Sequence, residues 1–249
     1  MKIYGFLKSV YKTVVPANVQ RMTWDPEYPF HRIISPFKHM LQRRAAHDEI
    51  YDAYYYNETM EPFVKKSADA MAGSIQRAFN PSFVVDIGCG TGELLLALRR
   101  LDVQGVGLEY SSAALEIARS KGVEVHSHNL EQPLDRQASY RGDVAISTEV
   151  AEHLNERFSD TYVDYLCKTS DTVVMTAAGP GQGGTDHVNE QPKDYWIAKF
   201  QARGLTLDSE LSHEFSDEWR AADVADFYYQ NLMIFRRAQP ANATSDAGD

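Results

Sequence analysis

Phe83-Val84-Val85-Asp86-Ile87-Gly88-Cys89-Gly90-Thr91-Gly92-Glu93-Leu94-Leu95-Leu96-Ala97-Leu98 carries three structural signals in one run. Phe83 to Ile87 is apolar and β-branched, which predicts a buried strand. Gly88, Gly90 and Gly92 alternate through a tight turn, where absent side chains permit positive φ and close approach of a ligand. Glu93 to Arg100 is rich in helix formers. Strand, glycine turn and helix together predict the first unit of an open α/β sheet, whose ligands lie beyond the carboxyl ends of the strands. The spacing is D-x-G-x-G-x-G. Dinucleotide sites read G-x-G-x-x-G, and phosphate-cradling loops read G-x-x-x-x-G-K-[ST]. No lysine follows Gly92, and the carboxylate of Asp86 would repel a pyrophosphate. It suits a ligand that carries an ammonium group and hydroxyls.

On these residues the chain resembles the class I S-adenosylmethionine (SAM)-dependent methyltransferases, whose first motif this stretch matches. The resemblance spans residues 80–237. It implies a Rossmann-like α/β fold: a seven-stranded, mostly parallel sheet with helices on both faces, plus a helical N-terminal extension. Residues 1–79 are then the extension or lid, 80–237 the SAM-binding domain, and 238–249 a tail with nothing to bury. The expected cofactor is SAM. Asp86, Gly88, Cys89, Gly90 and Gly92 would hold its amino-acid end. Glu109, 23 residues after Asp86 at the end of the second predicted strand (Val103 to Leu108), stands where α/β nucleotide sites bind ribose hydroxyls, and Tyr110 follows it. By the same resemblance Asn129 and Leu130, after the third strand (Val123 to Ser127), would meet the adenine, with Glu131 as an alternative. Thr148 would line the methionine end.

The chain as a whole bounds the partners. Its 249 residues suit one α/β domain with an extension, and 43% hydrophobic content supports a sizeable core. A net charge of −10 lacks the basic footprint of a nucleic-acid binder. The Asn/Asp-Pro-Pro-Tyr/Phe signature of amino-methylating nucleic-acid enzymes is also missing, because Thr148-Glu149-Val150-Ala151 stands in its place. Residues 1–48 are net +5, leaving −15 for the remainder, which reads as a basic lid on an acidic body or as a partner surface. Ile3, Phe6, Leu7, Val10 and Val14 form one face of a predicted helix over 2–15, expected to dock on its own domain rather than on a membrane. No run is long and apolar enough for stable membrane insertion. The two cysteines and the His spacings suggest neither a disulfide framework nor a zinc site, so no metal is expected. The default expectation is a cytoplasmic protein, with a homodimer as one assembly.

The acceptor side is read from the later strands. Asp143 to Ser147 is the fourth, followed by Thr148-Glu149-Val150-Ala151-Glu152-His153-Leu154. Glu149 and His153 are four apart and would share a face of a helix. After the fifth strand (Thr172 to Ala177), residues 178–192 form a long glycine-rich loop crowded with polar groups, a length that points to function. Asp186, His187, Asn189 and Glu190 are therefore candidates for substrate binding and proton transfer. Two histidines qualify as base, His187 with Asp186 or Glu190 and His153 with Glu149, and the loop position favours His187. Tyr195 on the helix opened by Pro192, and Tyr55 within the Tyr51–Tyr56 cluster of a helix over His39 to Met60, are further substrate candidates, or core residues. Leu205 to Leu211 and Asn231 to Phe235 are the last strands, with Ser216 to Tyr228 a helix or insertion between them. The expected reaction is methylation of a small molecule, at a hydroxyl of a sugar-like or aromatic acceptor. N-methylation or cyclisation on the same scaffold, and a non-catalytic partner subunit, are the alternatives.

Overall fold

Strand β1 (Phe83–Ile87) runs through the middle of the protein, with four of its five residues buried. The structure, a computed structural model, describes residues 50–132 and 139–237. The expectations for a helix over 2–15, the connector over 16–37, the start of the helix at His39 and the tail over 238–249 lie outside them. β1 pairs in parallel with β2 (Gln104–Glu109) on one side and β4 (Val144–Thr148) on the other. β3 (Val125–Ser127) adds to β2 and β5 (Thr172–Thr176) to β4, both parallel. β7 (Leu232–Arg237) pairs antiparallel with β5 and with the short edge strand β6 (Leu205–Leu207). The order is β3-β2-β1-β4-β5-β7-β6. The chain leaves β1 toward one edge, then returns to lay β4 on its other side. That reversal opens a crevice at the carboxyl ends of β1 and β4.

Successive side chains of a strand face opposite ways, and β1 feeds two cores accordingly. Val84 joins a layer with Met71, Ile75, Leu98, Phe215 and Trp219. These come from helices α1 (Glu61–Phe79), α2 (Glu93–Arg99) and, farther along, α6 (Ser209–Ala221). Val85 and Ile87 face Tyr162, Leu166, Trp196 and Phe200, carried by α4 (Ser159–Thr169) and α5 (Lys193–Gln201). α3 (Ser112–Ser120) packs Leu115 and Ala118 on the first face. A sheet buried on both faces explains why its strands read as near-continuous apolar runs. Among the described residues no helix is long and apolar enough to cross a membrane.

Three local expectations are corrected. The strand over Leu205 to Leu211 stops at Leu207, because the Asp208 side chain accepts from the Leu211 N–H and caps α6. An N-cap aspartate starts a helix. The single element over Ser216 to Tyr228 is two: α6 ends before Asp223, whose φ of 57° breaks the helix, and α7 (Asp226–Asn231) follows. Within the described part of the expected helix over His39 to Met60, Tyr55–Met60 is a π-helical turn that leads directly into α1. α1 itself packs Ala68, Met71, Ala72 and Ile75 into the first core layer.

Candidate active site

A cavity of about 850 Å³ opens over the crevice. Its floor is the turn after β1. Gly88 has φ of 79°, and a Cβ there would fall 2.3 Å from Val150 Cγ2, so the turn after β1 and the segment after β4 touch where no side chain can intervene. At Gly90 a Cβ would meet only Tyr56, at 3.9 Å; the missing side chain leaves a cradle on the cavity floor.

The turn is pinned by one carboxylate. Glu109, at the end of β2, accepts from the Gly90 N–H at 2.9 Å through one oxygen. Its other oxygen accepts from the N–H groups of Tyr110 at 2.6 Å and Ser111 at 2.8 Å. Burial raises its pKa, and the three N–H bonds oppose that rise. A carboxylate offers about four acceptor positions, so these bonds leave room for one hydroxyl from a ligand. Asp86 is buried at the end of β1. Burial first, and then the charge of Glu109, push its carboxyl up to about 7. A cationic ligand group beside it offsets both effects.

The opposite wall comes from β4 and β5. Residues 148–154 do not form the helix that would set Glu149 and His153 on one face. Glu149 takes φ of 54°, its N–H bonds to the Thr176 carbonyl and hydroxyl, and a short 3-10 turn spans Ala151–His153. The Glu149 oxygens accept from Gln182 and Asn231, each at 3.2 Å, rather than from His153. His153 Nδ1 instead lies 2.8 Å from the Tyr51 hydroxyl. The loop after β5 folds back onto this turn: the N–H groups of Val188 and Asn189 both donate to the Glu152 carbonyl, at 2.8 and 3.0 Å. This brings His187 against His153, edge to face, with ring centroids 4.9 Å apart. Glu190 accepts from His187 Nδ1 at 3.0 Å and from the N–H groups of Gly181 and Gly183; these bonds outweigh its partial burial and hold its carboxyl below the usual range.

The two histidines read as rivals for the base are therefore one cluster. Asp86, Gly88, Cys89, Gly90, Glu109, Tyr110, Asn129, Leu130, Thr148, Glu149, Tyr55 and Asp186 all line the same cavity as the pair. Asn129 spends part of its carbonyl capacity on the Glu131 N–H. Tyr110 sits at the mouth with its side chain exposed. Gly92 caps α2 behind the turn, outside the lining. Glu190 acts from behind His187. Tyr195 is away from the cavity; its ring packs edge-on against Trp196 and under Lys199. Tyr51 was read only as a member of the Tyr51–Tyr56 cluster, and its hydroxyl finds His153. Two contributors went unread in the sequence: Glu152, fully buried beside His153, and His128, a cavity residue whose burial lowers its pKa to about 4. Of these only Glu152 had a local signal, its adjacency to His153.

Residues 72–178 match the family model described as methionine biosynthesis protein MetW. Among curated proteins, the ubiquinone biosynthesis O-methyltransferase of Ruegeria sp. (strain TM1040) is 29% identical over 123 residues, 48% of this chain and 46% of that protein. The chain spans about half the length of the curated relatives it matches. Among solved structures, magnesium protoporphyrin IX methyltransferase (ChlM) from Synechocystis PCC 6803 with bound SAM aligns with a TM-score of 0.55 at 15% identity, covering 78% of this chain and 99% of that one. A methyltransferase in complex with the Haloferax volcanii Trm112 methyltransferase activator aligns with a TM-score of 0.57 at 16% identity, over 78% and 100%. At these identities the structural likeness concerns the fold.

Proposed function

We propose that this chain, a class I SAM-dependent methyltransferase by fold and first motif, methylates a hydroxyl of a small-molecule acceptor. The observation that carries the reading is a single cavity with two chemically distinct walls. One holds Asp86, the Gly90 cradle and Glu109; the other holds the His153–His187 pair.

The residues of the first wall fit SAM. The cradle at Gly90 would be filled by a Cβ, and Asp86 is a buried carboxyl suited to an ammonium group. Glu109 keeps an acceptor position for a ribose hydroxyl. The volume of about 850 Å³ lies within the range of about 300–1,000 Å³ usual for small-molecule sites, and leaves space for an acceptor. Asn129 and Leu130 would flank the adenine. When bound, SAM supplies an electrophilic methyl carbon on a positively charged sulfur.

The second wall handles the acceptor. Tyr51, Tyr55, Tyr56 and Tyr228 line the cavity, which favours an aromatic acceptor by edge-to-face contact. Its hydroxyl would be set against the histidine pair, which would take its proton, with bound SAM supplying the methyl group. Holding oxygen and methyl in line supplies most of the rate, because the step is governed by proximity and orientation. The Gly88–Val150 contact fixes the spacing of the two walls. Calorimetry with SAM on the full chain tests the first wall, with saturable binding expected. Incubation with SAM and a panel of phenols, catechols and sugars, read by product mass, tests the second. Folded protein that takes up no SAM sinks the proposal.

A further inference from the structure

The cluster at the acceptor wall contains more than a base needs. Glu152, His153 and His187 each offer one ligand atom, and the three atoms lie within 4.8 Å of one another. We propose that Glu152, His153 and His187 bind a divalent first-row transition metal ion, such as zinc, manganese or cobalt, at the inner wall of the cavity.

Glu152 calls for a cation. Its side chain is fully buried, and neither carboxylate oxygen has a partner with hydrogen-bond geometry, although the Glu149 carboxyl and the Ala178 backbone lie close by. A buried polar group left in this state is costly, and requires an explanation such as an ion. No lysine or arginine bonds to Glu152 or Glu149 among the described residues. A cation between Glu152 and the imidazoles satisfies the orphaned oxygens.

The other contacts of the two histidines are those of metal ligands. Glu190 accepts from His187 Nδ1, which places the proton on Nδ1 and the lone pair on Nε2. The Tyr51 hydroxyl has the Thr185 carbonyl at 3.4 Å as an acceptor and His153 Nδ1 at 2.8 Å. Donating to that carbonyl, it accepts from Nδ1–H of His153, and the Asp186 carbonyl lies 3.4 Å from the same nitrogen. On this tautomer the lone pair of each imidazole sits on Nε2, and that of His187 lies beside Gly184, where a Cβ would fall 2.3 Å from it. A carboxylate or oxygen holding the far nitrogen is the usual way a ligating histidine is oriented.

The site is also pre-organised. The ligands come from two segments, and the two N–H bonds from Val188 and Asn189 to the Glu152 carbonyl lock these together. Ligands at about 2.1 Å from one ion stand at most about 4.2 Å apart, so closure needs shifts of under ~1 Å per side chain. Two imidazoles and one carboxylate select transition ions rather than magnesium, which prefers all-oxygen octahedra.

Glu152 lies behind the wall, whereas His153 and His187 line the cavity. The open positions of the ion therefore face the acceptor. On the methyl-transfer reading, on which this role rests, the acceptor oxygen becomes a ligand. Its proton leaves to solvent water more readily on the ion, and the imidazoles serve as ligands instead of bases.

The test uses the full chain after EDTA treatment, titrated with Co²⁺ by visible absorption and with Zn²⁺ in competition. One site per chain is expected, with Mg²⁺ failing to compete. Glu152→Gln and His187→Ala should each weaken it at least ~10-fold, and Glu190→Gln, which touches no metal, about 10-fold. SAM affinity should match wild type in all three, which also reports that they fold. Wild-type protein that takes up neither ion, or variants that bind as wild type does, would overturn the site. If wild type binds Co²⁺ but no SAM, the methyl-transfer reading fails and the metal site stands.

Discussion

The two walls of the cavity are built on different plans. The wall at β1 and β2 is local: a glycine turn and one carboxylate, joined by three backbone N–H bonds to Glu109. The wall at β4 and β5 is assembled from distant segments. Tyr51, the turn around His153 and the loop around His187 meet only through tertiary contacts. A wall made of backbone bonds recognises one fixed ligand shape. A wall made of side chains on a long loop can be respecified without disturbing the first. On the proposed reading, the cofactor falls to the wall held by backbone bonds and the acceptor to the wall built from side chains.

The walls meet at Gly88 and Val150, and the largest effect is expected there. Gly88→Ala must accept a positive φ and a Cβ 2.3 Å from Val150 Cγ2. Strain and overpacking together should cost about 2–4 kcal/mol of stability, read by urea denaturation. Adding Val150→Ala should return the steric part and leave about 1–2 kcal/mol for the left-handed backbone. No recovery in the double variant would mean that the walls are not in register through this contact.

The second prediction separates the walls. Glu109→Ala leaves three N–H groups without their acceptor, at about 1–3 kcal/mol for the group, so SAM affinity should fall ~10- to 100-fold by calorimetry. Turnover at saturating SAM should change far less, because the acceptor wall is untouched. An equal loss in both would show that the walls act as one unit. Tyr51→Phe is the converse. On the proposed reading Tyr51 is a positioning residue, because its hydroxyl lies 2.8 Å from His153 Nδ1. Its loss should lower kcat by about 10-fold, on the scale of partners behind catalytic ligands, with SAM affinity unchanged. A rise in the SAM dissociation constant without a fall in kcat would contradict that role.

The same contrast explains what the sequence could disclose. Strand β1, the glycine turn and Glu109 were legible because their information is local: apolar run, glycine spacing and a carboxylate one strand later. The seven-stranded, mostly parallel sheet was expected from the resemblance that this unit carries. The His153–His187 cluster was visible only as two separate candidates, because imidazoles 34 positions apart carry no signal of contact. Glu149 was paired with His153 by helical spacing, and a positive φ at a glutamate, here 54°, has no sequence signature of the kind that glycine, asparagine or aspartate gives. Tyr195 was a good aromatic candidate until α5 turned it toward Trp196. Leu205 to Leu211 read as a strand because Leu205, Leu207 and Leu211 keep a two-residue alternation broken only at Ser209, and the Asp208 cap overrides it.

The smallest expected effect comes from Asp86, and it tests whether the first wall is completed by a cation. Burial raises this carboxyl from 3.8 to about 7. Between those values the folded chain holds a proton that the unfolded chain has lost. Stability therefore falls as pH rises through that window, and the loss is complete once Asp86 ionises above about 7. A ligand ammonium beside Asp86 favours the ionised form and opposes the loss. Thermal melting of the wild type should decline more steeply from pH 6 to pH 8 than that of Asp86→Asn, by a few degrees at ~4 °C per kcal/mol. Saturating SAM should stabilise the wild type more at pH 8 than at pH 6. Parallel slopes in the two proteins, with SAM equally stabilising at both pH values, would mean that Asp86 meets no ligand charge. The first wall would then recognise its ligand through Glu109 and the Gly90 cradle alone.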